Sequence, residues 1–148
     1  MTARFRELRG QKVVLRPFGA DDVSEAYLAS FAGSDNLFVS VRDAADGAAV
    51  GTMTAYRNAH HGTCDVGIMI GQRDYWGGGY GQEAWDLLTG WLLSEGGVRK
   101  LTAGCLAPNK GMVRLMERSG MHLEANRKRH EIVNGAPEDI VLYARFAD

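Results

Sequence analysis

The feature that most constrains this 148-residue chain is a run of glycines held between a strand pattern and a helix pattern, Tyr75-Trp76-Gly77-Gly78-Gly79-Tyr80-Gly81-Gln82. Thr63 to Ile70, just before it, reads as a strand. From Gln82 to Glu95, Ala84, Leu87, Leu88, Trp91 and Leu92 recur at three- and four-residue steps, an amphipathic helix closed by Gly96-Gly97. A strand that runs through a glycine turn into a helix leaves the first helical N–H groups without partners. Gly77, Gly78, Gly79 and Gly81 carry no Cβ, so the backbone there can approach a ligand closely. Such a terminus favours an anion, and a pyrophosphate would fit. Of the chain's 19 glycines, five fall between Gly71 and Gly81, so function is sought there first.

Two other phosphate motifs are disfavoured. The Walker pattern needs Gly-Lys followed by Ser or Thr, which the segment lacks. The dinucleotide fingerprint needs GxGxxG after the first strand of a parallel unit, with an acidic residue about 20 positions on, and neither condition is met well. Spacing alone leaves a pyrophosphate turn and a purely structural glycine turn both open.

The remainder predicts one mixed unit. Val13-Val14-Leu15-Arg16 is a short strand closed by Pro17, and Asp21-Asp22 opens a helical pattern through Val23, Ala26, Tyr27 and Phe31. Leu37 to Val41 and Ala49 to Tyr56 flank Asp46-Gly47 and predict a hairpin. Leu101 to Leu106 is a strand stopped by Pro108, and Asn109 caps a short helix that reaches Arg118 and ends at Gly120. Ile132-Val133, Asn134-Gly135 and Ile140 to Phe146 predict a last hairpin. The fold class is α/β of the α+β kind, a single domain over residues 1–148 with a largely antiparallel sheet. Seventeen Lys+Arg against 18 Asp+Glu give a net charge of -1, and no apolar run reaches the ~18 residues of a membrane span, which argues against nucleic-acid and membrane partners. The charged first ten residues lack a secretory pattern, so the cytoplasm is expected. Cys64 and Cys105 lack metal-ligand spacing, and no metal is expected.

Trp76-Gly77-Gly78-Gly79-Tyr80-Gly81 resembles the pyrophosphate loop of the GNAT acetyltransferase superfamily, whose pattern is Arg/Gln-x-x-Gly-x-Gly/Ala. Trp76 replaces the usual Arg or Gln, as is common in the RimJ/RimL-like branch. Three further segments resemble that branch in order: Leu15-Arg16-Pro17, Asn109 through Glu117-Arg118-Ser119-Gly120-Met121, and Leu123-Glu124-Ala125 followed by Asn134-Gly135 and Asp139. The resemblance implies transfer of an acetyl group from acetyl-CoA to an amine, with the pantetheine lying between strands that splay apart around Ile68–Ile70 and Leu101–Cys105. It also implies cofactor contacts at Met69, Ile70 and Gly71, then Trp76, Gly77, Gly78, Gly79, Tyr80, Gly81 and Gln82, and at Asn109, for which a simple helix cap is the equal alternative.

Transfer needs a base for the amine and a donor to the thioester oxygen. The resemblance assigns the first to Asp65, acting through water, and the second to the Met69 backbone N–H; a solvated strand-end residue is the alternative for Asp65. The general acid is the weak point, because the two positions where relatives carry Tyr or Ser hold Met116 and Met112. His60-His61 and the basic run Arg127-Lys128-Arg129-His130 read as solvated loops, although the run would suit an adenosine 3′-phosphate or an acidic acceptor. Tyr143 reads as half-core, and Trp85 and Trp91 as packing residues. Only Phe31 to Asn36 separates the first helix from the next strand, where the family usually has a second helix. A shallow acceptor cleft is therefore expected, completed by a second subunit in a homodimer. Two functions stay open: an N-acetyltransferase acting on a small amine or a peptide N-terminus, and an acyl-CoA-binding module with weak or no transfer.

Overall fold

The computed structural model describes residues 3–19, 21–22, 29 and 33–148. Its strands are β1 (Leu8–Arg9), β2 (Val13–Pro17), β3 (Leu37–Asp43), β4 (Ala49–Asn58), β5 (Thr63–Ile70), β6 (Lys100–Leu106), β7 (His122–Val133) and β8 (Ala136–Phe146). Two helices, α1 (Tyr80–Ser94) and α2 (Lys110–Arg118), and a 3-10 turn at Arg73–Tyr75 complete the described elements. The helix expected through Val23, Ala26, Tyr27 and Phe31 lies outside the described residues. The strands form one sheet in the order β1-β2-β3-β4-β5-β6-β8-β7. Among the described residues only β5 and β6 pair in parallel; every other neighbouring pair is antiparallel.

One face of the sheet is apolar and carries α1. Val39, Val41, Met53, Ala55, Cys64, Val66, Leu101 and Ala103 meet Ala84, Trp85, Leu88 and Leu92 in a continuous buried core. Trp85 and Trp91 are both buried, as expected of packing residues. The Trp85 indole N–H donates to Ser119 Oγ at 3.1 Å, and Arg145 donates to the Ser119 carbonyl at 2.9 Å. That chain of bonds links α1, the end of α2 and β8. The opposite face shows Tyr56 and Met69 to solvent.

The last hairpin is longer than the sequence pattern predicts. Residues 122–131, including the basic run read as a loop, belong to β7, and this correction has a simple cause. Every β7 residue from His122 to Ile132 is exposed, so the strand shows no apolar alternation from which to read it. Two bulges, at Leu123/Ala125 and Arg127/Glu131, further break its register, and Arg129 has a φ of 51°.

The feature that positions the site is a fork in the sheet. Pairing of β5 with β6 covers Thr63↔Lys100, Cys64↔Leu101 and Asp65↔Thr102 and then stops. Beyond that point β5 stays braced by β4 as far as Gly51↔Ile70, and β6 by β8 as far as Leu106↔Ile140. The inner edges of 66–70 and 103–106 are left without a strand partner. Gly51 is needed at the open end: a Cβ there would lie 2.1 Å from the Met69 carbonyl oxygen, so no other residue lets β4 approach β5 this closely.

Candidate active site at the forked strands

At the open end of the fork a cavity of about 570 Å³ lies between the glycine turn and α2, bordered by Ile70, Trp76, Gly77, Gly79, Gly81, Gln82 and Asn109 among others. Gly77 and Gly79 have φ of 76° and 86°, the left-handed region that favours glycine. Gly81 is not required by its backbone, since a Cβ there would make ordinary contacts with Ile70 and Leu115 at 3.7 and 3.8 Å. Gly79 caps α1 without a side-chain bond, and Glu83 N–H to the Gly79 carbonyl, at 3.0 Å, begins the helical ladder. The earlier N–H groups of that first turn are the donors an anion would meet.

Side-chain hydrogen bonds hold the turn in place. Trp76 Nε1 donates to the Ile70 carbonyl at 2.7 Å, tying the turn to the end of β5. The Tyr75 hydroxyl donates to Asp43 Oδ2 at 2.8 Å, and that carboxylate, aided by burial, pushes the phenol up to about 12, so it stays a neutral donor. Glu83 accepts from the backbone N–H groups of Gln11, Lys12 and Val13 at 2.9, 2.7 and 2.8 Å. One carboxylate thus clamps the first turn of α1 to the β1–β2 connection with charge-assisted bonds. The Gln82 side chain donates to the Leu115 carbonyl at 3.2 Å and to Asp86, leaving its backbone as the part that faces a ligand.

The chain's relations agree with this architecture. The acetyltransferase (GNAT) domain family matches residues 11–122, about three quarters of the chain. This protein belongs to the GNAT family. No curated protein matches it at the level of sequence. A ribosomal-protein-S5-alanine acetyltransferase from Vibrio fischeri has the same fold at 16% identity, covering 97% of this chain and 98% of that one with a TM-score of 0.82. A GNAT-family acetyltransferase from Bacillus anthracis follows at 17% identity, 95% and 98% coverage and a TM-score of 0.77. A spermidine N-acetyltransferase from Vibrio cholerae matches at 18% identity over 87% of this chain and 76% of that one, with a TM-score of 0.75.

Not every residue singled out in this GNAT sequence reaches the cavity. Gly78 and Tyr80 do not line it; Tyr80 instead packs its ring on Tyr75 at 4.8 Å. Met69 and Gly71 border a second cleft of about 340 Å³ on the opposite face, with Phe18, Asp22, Arg42, Thr52 and Gln72. Asp65 lines neither. It is exposed at the closed end of the fork, where Thr102 Oγ1 donates to its Oδ1 at 2.8 Å. Asp65 and Met69 share a face of β5 four residues apart, about 13 Å along the strand. The Asn109 side chain accepts from Met112 N–H at 3.1 Å and also lines the cavity, so capping and ligand contact are compatible in one residue. Met112 borders the cavity and Met116 is fully buried in the core.

Other groups fall outside the site. Burial pushes the Cys64 thiol up to about 12 and the Cys105 thiol upward as well, so neither is a thiolate near neutral pH. Tyr143 is buried, and burial raises its hydroxyl too. His60 and His61 stack edge-to-face in an exposed turn. The basic run of β7 does not border the cavity. Sequence reasoning missed Arg114 and Arg118, which do, and Thr102, which sits on Asp65. Their signals were available: two arginines one turn apart in the capped helix, and a threonine in the strand expected to run beside β5. Among the described residues no cluster of His, Cys, Asp and Glu gathers to hold a metal ion, and no helix is long and apolar enough to cross a membrane.

Proposed function

We propose that this protein is a single-domain N-acetyltransferase of the RimJ/RimL-like kind that moves an acetyl group from acetyl-CoA to a primary amine, a small molecule or a peptide N-terminus, in the cytoplasm. The observation that carries the reading is the fork. The strand edges at 66–70 and 103–106 are unpaired, and at their open end Ile70 borders a cavity together with the helix N-terminus and its glycines. An extended pantetheine arm suits the unpaired edges, because strand-edge pairing uses only backbone groups. A diphosphate suits the free N–H groups of the first turn of α1. The open space beside Gly77, where a Cβ would meet nothing within 4 Å, leaves room for it.

Acetyl-CoA supplies an activated acyl group as a thioester. On this reading, Ile70 and Gly71 flank the arm and Trp76 fixes the turn. The Met69 carbonyl faces Gly51 of β4, and the N–H of the same extended residue points that way too, so the thioester oxygen meets a neighbouring N–H at the end of β5 rather than that of Met69. Asp65 accepts the amine proton through water, since about 13 Å of strand separates it from Met69. Thr102 holds one Asp65 oxygen and leaves the other for that water. Attack is direct, because both cysteines are held as neutral thiols. The cleft beside Met69 receives the acceptor, and a second copy of the chain would complete its wall.

One observation favours a second reading, an acyl-CoA-binding module with weak or no transfer. Met116 lies in the core and Met112 borders the cavity, and neither thioether can protonate a departing thiolate. Calorimetric titration with acetyl-CoA, followed in the same sample by thiol release on a panel of primary amines and N-terminal peptides, separates the two. Amine-dependent release supports the transferase. Binding without release supports the module, and absence of binding removes both.

A further inference from the structure

We infer that Arg114 and Arg118 form the seat of a phosphate monoester, the 3′-phosphate of the coenzyme, and so make the protein prefer coenzyme A to its dephospho form. The inference rests on the acyl-CoA reading above. Both arginines border the cavity, and both are exposed to it on α2. They are four residues apart, which puts the two guanidiniums on one face of the helix as neighbours. Like charges at that spacing repel each other, and no carboxylate relieves them: among the described residues the ion pairs engage Arg9, Arg16, Arg42 and Lys100. Two unpaired guanidinium forks bordering one cavity are the complement of a dianionic group that accepts bidentate bonds.

The position selects which phosphate. Gln82 Nε2 donates to the Leu115 carbonyl, which sets the first turn of α1 against the middle of α2. The backbone donors of that turn already match a diphosphate. Asn109 begins α2 just beyond the end of β6, beside the fork, and Arg118 lies about 13 Å farther along the helix axis. A ligand with its thioester in the fork and its diphosphate at the glycine turn would carry its nucleoside end toward the arginines. A phosphate monoester carries nearly two negative charges at neutral pH, which two guanidiniums balance.

Coenzyme A and dephospho-coenzyme A differ only in this group, so the test is calorimetric titration of both into the wild-type protein and into Arg114→Gln, Arg118→Gln and the double variant, at low and high salt. The expected result is a wild-type preference for coenzyme A of about ten- to a hundredfold, as for charge-assisted bonds. That preference shrinks with added salt. The double variant should lose it while holding dephospho-coenzyme A within about twofold of wild type. Equal wild-type affinity for the two ligands overturns the inference. So does a double variant that weakens both equally, because the arginines would then serve the diphosphate. Failure of the wild type to bind either ligand would strike the acyl-CoA reading itself, and the inference with it. Unchanged thermal midpoints of the variants exclude misfolding as the cause.

Discussion

The two faces of β5 are built differently. On the helix side the glycine turn offers its main chain to the cavity, and the turn is anchored at several points: Trp76 to Ile70, Tyr75 to Asp43, Glu83 to three consecutive N–H groups. On the other side exposed side chains predominate, with Asp65, the proposed base, held by one hydroxyl and the Met69 side chain 69% exposed. A surface made of backbone tolerates side-chain change and keeps its ligand. A surface made of side chains is free to change its acceptor. The comparison implies that binding and transfer can be broken separately, by substitutions a few residues apart.

The largest effect is expected from Gly81→Leu. The residue sits in the first turn of α1 with ordinary backbone geometry, and a Cβ would touch Ile70 and Leu115 without clashing. A leucine there suits the helix better than glycine by about 0.8 kcal/mol, so the fold is preserved or slightly stabilised. Its side chain would extend into the cavity. Acetyl-CoA affinity should fall by about a thousandfold with the thermal midpoint unchanged or raised, because steric exclusion from a preformed site is nearly complete. If affinity holds, the cavity is not the binding site, and the helix side loses its role in the comparison.

Asp65→Asn addresses the other face. The amide keeps the size of the side chain and can still accept from Thr102, but it cannot take a proton near neutral pH. Turnover should fall about a hundredfold, toward the lower end of what a positioned base contributes, while acetyl-CoA affinity stays within about twofold. Steady-state kinetics with the best amine of the panel, set beside titration of acetyl-CoA, checks both halves. An unchanged kcat across pH 6–9 would return Asp65 to the status of a solvated strand end.

These two residues also show what a sequence can disclose. Gly81 was legible because its surroundings obey local rules: a strand pattern, a turn made of glycines, then a 3.6-residue period that places Trp85 and Leu88 in the core. Asp65 was legible only by analogy with a family, since nothing in its own neighbours distinguishes it from a surface residue. Thr102 and the arginines of α2 were harder still. Thr102 matters through a parallel register that pairs it with Asp65, and Arg114 through a cavity closed by a turn more than thirty residues earlier. The strand β7 failed for the opposite reason: it is exposed along almost its entire length, so burial never wrote a period into it.

A smaller, pH-dependent effect should come from Asp22, beside the cleft that borders Met69. Burial alone would raise its carboxyl, but the Gly19 N–H, Arg42 and Ser40 outweigh burial and hold it below the ordinary carboxylate range. A depressed value means that the stabilisation is complete above the unfolded pKa of about 3.9 and is lost as the pH falls through the folded value. Thermal midpoints measured from pH 6 downward should therefore drop more steeply for wild type than for Asp22→Asn below about pH 4. Acetyl-CoA affinity at neutral pH should not change, since this cleft lies across the sheet from the glycine turn. A parallel loss of affinity would show that the two faces are coupled through β5.

Thr102→Val gives the smallest expected change and the sharpest division between the faces. Valine keeps the shape and the strand preference of threonine and removes only the hydroxyl that donates to Asp65 at 2.8 Å. A single positioning bond to a charged group should be worth about three- to tenfold in kcat, with acetyl-CoA affinity unaffected. The same substitution made on the Asp65→Asn background separates two roles for that hydroxyl. If it acts by orienting the carboxylate, the second loss disappears once the carboxylate is gone, and Thr102→Ser restores most of the rate. If the hydroxyl instead fastens β5 to β6 where their pairing ends, the loss persists on that background and appears as weaker acetyl-CoA binding, because a looser fork would no longer present its edges at a fixed spacing. The first outcome confines Thr102 to the transfer side; the second makes it the hinge on which the binding side depends.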